Sequence, residues 1–257
     1  MAKSKQPKVT PKNGGFGKFY LVLGGIAVLA LAAIYMNRGA PKADTFVVDP
    51  TLPAPQVEGF LMGSPDAPVR IREWADFECP ACMQFATVTE PDVRRRLVET
   101  GQVQLEYFFF PLEMHRSAAS AAYAAACAAD QEKFWEMHDA IYQGFSDWAA
   151  GRARDPKGVF QKYAERIGLD VSEWSACYDS DRHRELITAH KAAGMARGVN
   201  STPTFFVGDV MVPGAIGFDQ LRALVDSVAA ASPRAPMVPQ GDTGATVSVP
   251  ATPADSR

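Results

Sequence analysis

The sequence predicts an α/β domain whose strands are interrupted by a mostly helical insertion. Three observations carry this expectation. Apolar runs of strand character lie at residues 69–77, 103–110 and 204–207. A long stretch of helical period, residues 113–198, separates the second run from the third. Gly208-Asp209 is a hairpin signal that pairs the third run with residues 210–212. The order strand, helix, strand, helical block, strand, strand, helix is that of an α/β fold.

Each element has its own reason. Residues 69–77, VRIREWADF, alternate, which places Val69, Ile71, Glu73, Ala75 and Phe77 on one face. A helix starts at Cys79, with Pro80 at its first position, where a missing N–H costs nothing. Pro91 is expected to kink or restart it before residues 92–99. Residues 103–110 are rich in aromatic side chains; Tyr107, Phe108, Phe109 and Phe110 read as the core of a central strand, and Trp135 and Trp148 as helix packing. The helical block is alanine-rich at first and punctuated by Gly144, Gly151, Pro156 and Gly168, so four or more helices fit in it. Residues 218–231 close the domain as a helix with Leu221, Leu224, Val225 and Val228 on its apolar face.

Outside residues 59–231 the composition changes. Lys3, Lys5, Lys8, Lys12 and Lys18 all precede the first acidic residue, Asp44. Residues 19–36 follow without any charge, and 18 residues rising about 1.5 Å each span roughly 27 Å, close to a bilayer's hydrocarbon core. Tyr20 and Tyr35 stand near its ends, and the lysine excess places residues 1–18 in the cytoplasm and the domain outside. A cleaved signal peptide would have a shorter apolar region, although that reading also exports the domain. Pro41, Pro50, Pro53 and Pro55 make residues 37–58 an extended tether, and residues 232–257 lack an apolar face, as a disordered tail does. A net charge of −3 without a basic stripe in the body argues against nucleic acid as a partner.

The chemistry concentrates in residues 74–82, WADFECPAC. A thiol attacks as its thiolate, and Cys79 falls where unpaired backbone N–H groups and the helix dipole favour a negative charge. Cys82 lies one turn later on the same face, within reach of a disulfide, which predicts an exposed attacking sulfur and a more buried resolving one. The spacing also fits half of a zinc site or a static disulfide. For zinc, the remaining cysteines, Cys127 and Cys177, are single, and His115, His138, His183 and His190 show no partner motif, so no metal is expected. Glu73 sits in an apolar row; it is either a proton carrier for Cys82 or an acid paired with Arg70 or Arg72. Pro203 opens an apolar strand, where it removes one ladder donor, as a plain edge proline or in a cis turn that bares the Thr202 backbone to an extended substrate.

WADFECPAC, a helical block and then GVNSTPTFFV together resemble the DsbA-like branch of thioredoxin-fold proteins, and most closely its membrane-tethered bacterial thiol-disulfide oxidoreductases. Residues 63–69, GSPDAPV, and 133–140, KFWEMHDA, add to the likeness, which covers residues 59–230. The resemblance implies a thioredoxin fold with an inserted helical domain, preceded by one transmembrane helix. It implies Cys79 as nucleophile, Cys82 as its resolving partner, Glu73 as the buried acid, and a cis Pro203 facing the pair. Pro80, Ala81, Thr202 and Pro203 would contact substrate. It further implies a structural disulfide between Cys127 and Cys177, where two buried free thiols are the other reading. The implied activity is introduction of disulfides into exported proteins that carry free thiols. Reoxidation would come from a membrane partner of the DsbB or vitamin K epoxide reductase type, with no bound cofactor. With Pro-Ala in place of the Pro-His of the best-known member, a less oxidising potential is expected. A reductase or isomerase, or a tethered peptide-binding chaperone, are the alternatives.

Overall fold

The computed structural model describes residues 20–29, 44–47 and 57–231. The chain divides into two compact units, residues 1–44 and 45–257. In the first, residues 20–29 are helical, with Leu21, Val22, Leu23, Ile26, Val28 and Leu29 exposed. Among the described residues no helix is long and apolar enough to cross a membrane; residues 19 and 30–36 of the expected span lie outside them. The expected basic tail, 1–18, and C-terminal tail, 232–257, lie outside them as well.

The second unit is built on a six-stranded sheet. Its strands are β1 (Phe46–Val47), β2 (Phe60–Met62), β3 (Val69–Ala75), β4 (Val103–Phe109), β5 (Thr204–Val207) and β6 (Val210–Pro213), in the spatial order β1-β6-β5-β3-β4-β2. β3 lies parallel to β4 and antiparallel to β5, so the strand that leads to Cys79 is buried between two neighbours. Two short edge strands escape the sequence reading. β2 pairs with β4, and β1 pairs with β6 inside the stretch whose prolines suggest only a tether.

The crossover from β3 to β4 is one helical run, α1. It comprises Pro80–Gln84 (α), Phe85–Thr89 (π), Glu90–Val93 (α) and Arg94–Val98 (π). Pro91 stands in the first turn of the Glu90–Val93 segment, and the helical run continues through it. The backbone is helical on both sides, and the Glu90 N–H reaches back five residues to the Phe85 carbonyl. A π-turn thus takes up the hydrogen-bond pattern that the proline would otherwise break.

The insertion holds α2 (Ala118–Ala129), α3 (Phe134–Gln143), α4 (Phe145–Trp148), α5 (Lys157–Arg166), α6 (Val171–Asp179) and α7 (Arg184–Ala196), and α8 (Phe218–Ala231) ends the domain. Side-chain alternation in β3 divides the core. Trp74 stacks on Phe108 (4.4 Å between ring centres) and meets Phe206, with Phe110 and Val199 beside them. α7 covers this cluster through Gly194, where an added Cβ would lie 2.6 Å from the Trp74 ring. Trp74 donates its indole N–H to the His190 carbonyl (3.1 Å). His190 is buried; its Nδ1 accepts the Phe109 N–H (3.2 Å) and its Nε2–H donates to the Glu58 carbonyl (3.0 Å). Burial lowers its pKa to about 4, so it is a neutral clasp. The opposite face carries Glu73, Ala75, Tyr107 and Phe109 towards α1 and α3, and the site is assembled there.

Candidate active site

β3 stops at Ala75 because the next residues turn. Asp76 Oδ1 accepts the Glu78 N–H (2.7 Å) and the Asp76 carbonyl accepts the Cys79 N–H (3.0 Å). Cys79 is then left extended (φ −80°, ψ 122°) as the residue capping α1, and Pro80 occupies the first helical turn. Cys79 and Cys82 are free thiols in this structure. Cys79 is 7% exposed and Cys82 not at all. The attacking sulfur is therefore more enclosed than its position in the sequence suggests. The cause is the Thr202–Pro203 turn, whose peptide is cis and whose Thr202 carbonyl accepts from the Cys79 thiol at 3.3 Å. Pro80 is exposed and Ala81 half-buried beside it, so Pro80, Ala81, Thr202 and Pro203 surround one sulfur.

The two thiols are electrostatically unequal. The Cys79 pKa is lowered to about 5, first by the hydrogen bond from the Cys82 side chain. Burial opposes the shift, while the Thr202 side chain and the backbone N–H groups of Cys82 and Ala81 add to it. Cys82 is pushed well above the usual thiol range by burial, then by Cys79, with Glu73 adding a smaller push. Near neutral pH Cys79 is a thiolate that accepts a hydrogen bond from the Cys82 thiol; its bond to the Thr202 carbonyl belongs to the protonated form.

Glu73 is buried, and its Oε2 has no hydrogen-bond partner among the described residues. It does not pair with the neighbouring arginines. Arg72 and Arg70 lie on the other face of β3 and engage Glu106, at 3.0 and 3.6 Å. Burial raises the Glu73 pKa well above the carboxylate range, Glu90 raises it further, and Arg94 opposes. A protonated carboxyl next to the resolving thiol is the result.

Sequence reasoning missed the carboxylates that fix this corner. Glu78 is buried and accepts the Ser117 N–H (2.6 Å) and the Ala150 N–H (2.8 Å). Asp76 Oδ2 accepts the Leu112 N–H and contacts His115 Nδ1, both at 2.8 Å. These bonds tie the loops of the helical insertion to the start of α1. Two acids bracketing Phe77 in an otherwise apolar strand exit were the only signal, and their partners lie 36 to 72 residues away.

Cys127 of α2 and Cys177 of α6 are joined by a disulfide, 50 residues apart in sequence. His183 lies beside them, which brings three metal-ligating side chains together, but the two sulfurs are bonded to each other.

A family model described as thioredoxin (Thioredoxin_4) matches residues 56–227. The chain is 36% identical over 172 residues to a probable disulfide bond formation protein D of Bacillus anthracis, covering 64% of this chain and 76% of that protein. It is 34% identical over 212 residues, 79% of its own length, to a Na(+)/H(+) antiporter NhaA 3 of Salinispora tropica, of which it spans only 29%. In fold it is similar to α-DsbA1 of Wolbachia pipientis, with a TM-score of 0.61 and 22% identity over 70% of this chain and 94% of that one.

Proposed function

Because the chain belongs to the DsbA-like branch of the thioredoxin-fold thiol-disulfide oxidoreductases, we propose that it introduces disulfides into exported proteins through Cys79 and Cys82. The single observation that carries this reading is the inequality of the two thiols. A Cys79 thiolate stabilised by the fold is a good leaving sulfur, and it stabilises the reduced enzyme relative to its disulfide. Such an enzyme hands its disulfide on. A client thiolate attacks Cys79 Sγ of the Cys79–Cys82 disulfide, that S–S bond breaks, and its electron pair goes to Cys82. A second client thiolate then attacks the client sulfur of the mixed disulfide. The client leaves oxidised and the enzyme holds two thiols.

The turn at Thr202 supports a peptide subsite. Its backbone lies at the mouth of β5, beside the reacting sulfur, where an extended chain can add as a strand. A second protein must reoxidise the cysteines, and a quinone-linked membrane enzyme fits that role. An N-terminal anchor with the domain outside the cytoplasm supports meeting such a partner. The exposed apolar side chains of residues 20–29 favour that anchor, because water solvates them poorly. Membrane fractions washed with alkaline carbonate should retain the full chain; its release would remove the anchor.

The direction of electron flow is read by equilibrating Cys79–Cys82 in glutathione buffers. A potential on the oxidising side, towards about −120 mV, is expected; one near thioredoxin's, about −270 mV, would make the enzyme a reductase.

A further inference from the structure

Three buried polar atoms lack hydrogen-bond partners among the described residues, Glu73 Oε2, Glu90 Oε2 and His138 Nε2, and their groups are electrostatically linked to one another and to Cys82, Glu90 acting on Glu73 and Glu73 on Cys82. An unsatisfied buried polar atom is costly, and three in one cluster call for a reason. Glu90 Oε2 and His138 Nε2 face each other at 3.8 Å, just beyond hydrogen-bond range. The other side of each group is held. Arg94 Nε and Nη2 donate to Glu90 Oε1 (2.8 and 2.6 Å), and Asp139 Oδ1 holds His138 Nδ1 (2.9 Å). Arg94 also grips both Asp139 oxygens, at 2.8 and 2.7 Å. Arg94 and Asp139 reach water; they line a cleft between α1 and α3 that also includes Pro91 and Tyr142 but neither Thr202 nor Pro203.

We propose that Glu90 and His138 are the inner end of a proton route joining Glu73 and Cys82 to solvent through the Arg94–Asp139 cleft, separate from the face where clients bind. Arg94 cannot give up its own proton and serves to position Glu90. His138 Nδ1 faces Asp139 Oδ1 and Arg94 Nη2 (2.9 and 3.4 Å) and Nε2 faces Glu90 (3.8 Å), so the ring can take a proton at one nitrogen and release one at the other. Among the described residues, Cys82 and the hydroxyls of Tyr107 and Tyr142, 3.3 Å apart, also face the cluster; burial keeps both phenols neutral, and Asp76 acts on Tyr107.

The step balances in protons and electrons. When a thiolate opens the Cys79–Cys82 bond, the electron pair moves to Cys82 Sγ, which takes the proton of the Glu73 carboxyl. Glu73 is reprotonated through Glu90 by the His138 Nε2–H, while His138 Nδ1 takes a proton that enters from water in the cleft along Asp139, so one proton passes inward and none is left behind on the pair. Re-forming the disulfide sends one proton out. The route allows this exchange while a bound client covers Cys79. It rests on disulfide exchange at Cys79–Cys82, and not on the direction of electron flow.

The test is stopped-flow reduction of the oxidised full chain by dithiothreitol between pH 5 and 9, for the parent, E90Q and H138Q. Each variant should react roughly tenfold more slowly or worse. Each should also show an altered pH profile and a larger rate difference between H2O and D2O. The ionisation of Cys79, followed by thiolate absorbance, should stay where it is in the parent. Imidazole should restore part of the rate lost by H138A. Rates within twofold of the parent at every pH would overturn the route, as would slowing that simply tracks a displaced Cys79 ionisation. Should E90Q fail to fold, H138Q and the imidazole rescue of H138A decide alone. A parent disulfide inert to dithiothreitol would be a different failure, that of the exchange chemistry itself.

Discussion

Replacing Cys79 with serine will lower thiol–disulfide exchange by about a thousandfold or more, because a hydroxyl is scarcely ionised at neutral pH and forms no disulfide. With its pKa lowered to about 5, Cys79 is almost wholly thiolate at pH 7. Iodoacetamide should therefore alkylate the reduced protein with a midpoint near pH 5, while Cys82, enclosed and held protonated, should stay unmodified. The same ionisation sets a stability difference. A folded-state pKa depressed below that of free cysteine adds stability that is complete above the unfolded value and is lost as pH falls through about 5. At pH 7 this favours the reduced fold, in which the thiolate exists, over the oxidised one. The gap between reduced and oxidised protein in urea unfolding should narrow as the pH is lowered from 7 to 5. An alkylation midpoint like that of free cysteine, or exchange that survives in C79S, would remove Cys79 from the reaction. A protein that only held peptides would keep its cellular activity in C79S.

Elements whose cause is local were legible in the sequence. Alternation in residues 69–75, the hairpin turn at Gly208-Asp209 and Pro80 after Cys79 each depend on neighbours within a few residues, and the strands, the hairpin and the helix start lie there in the structure. What depends on distant chain was not. β1 and β2 are too short to show a period, and only pairing with β6 and β4 makes them strands. Nothing local marks Glu90 as buried, yet it is, with His138 of α3 facing it. His138 has Asp139 beside it, but Glu90 and Arg94, which make the pair part of a network, lie more than forty residues upstream. Glu73 was visible as an acid in an apolar row. Alternation already sets Arg70 and Arg72 on the opposite face of β3, and the partner that engages them there, Glu106, comes from β4 and could not be read locally. Local chemistry thus announced the sulfur pair, whereas its electrostatic setting is a product of the fold.

The double variant C127A/C177A will unfold more easily by about 4 kcal/mol, the chain entropy released when a loop of 50 residues is no longer closed. For a domain of this size that is a fall in Tm of roughly 10 °C. The insertion depends on the cross-link more than a larger core would. α2 buries seven alanines and no larger side chain besides Cys127, so each contact removes little apolar area from water. Beyond the cross-link, its hold on α6 includes the Trp174 indole N–H donated to the Ala124 carbonyl at 3.0 Å. Alanine suits both positions, since the sulfurs are buried and a free thiol at either one invites mispairing with Cys79. Exchange by Cys79–Cys82 in the folded variant should stay within twofold of the parent, because the loops that brace the site are anchored through Glu78 and Asp76 rather than through α6. Urea unfolding shifted by less than 1 kcal/mol would mean that α2 and α6 are held by packing alone. A lost exchange rate in a variant that keeps its fold would mean that the cross-link reaches the site.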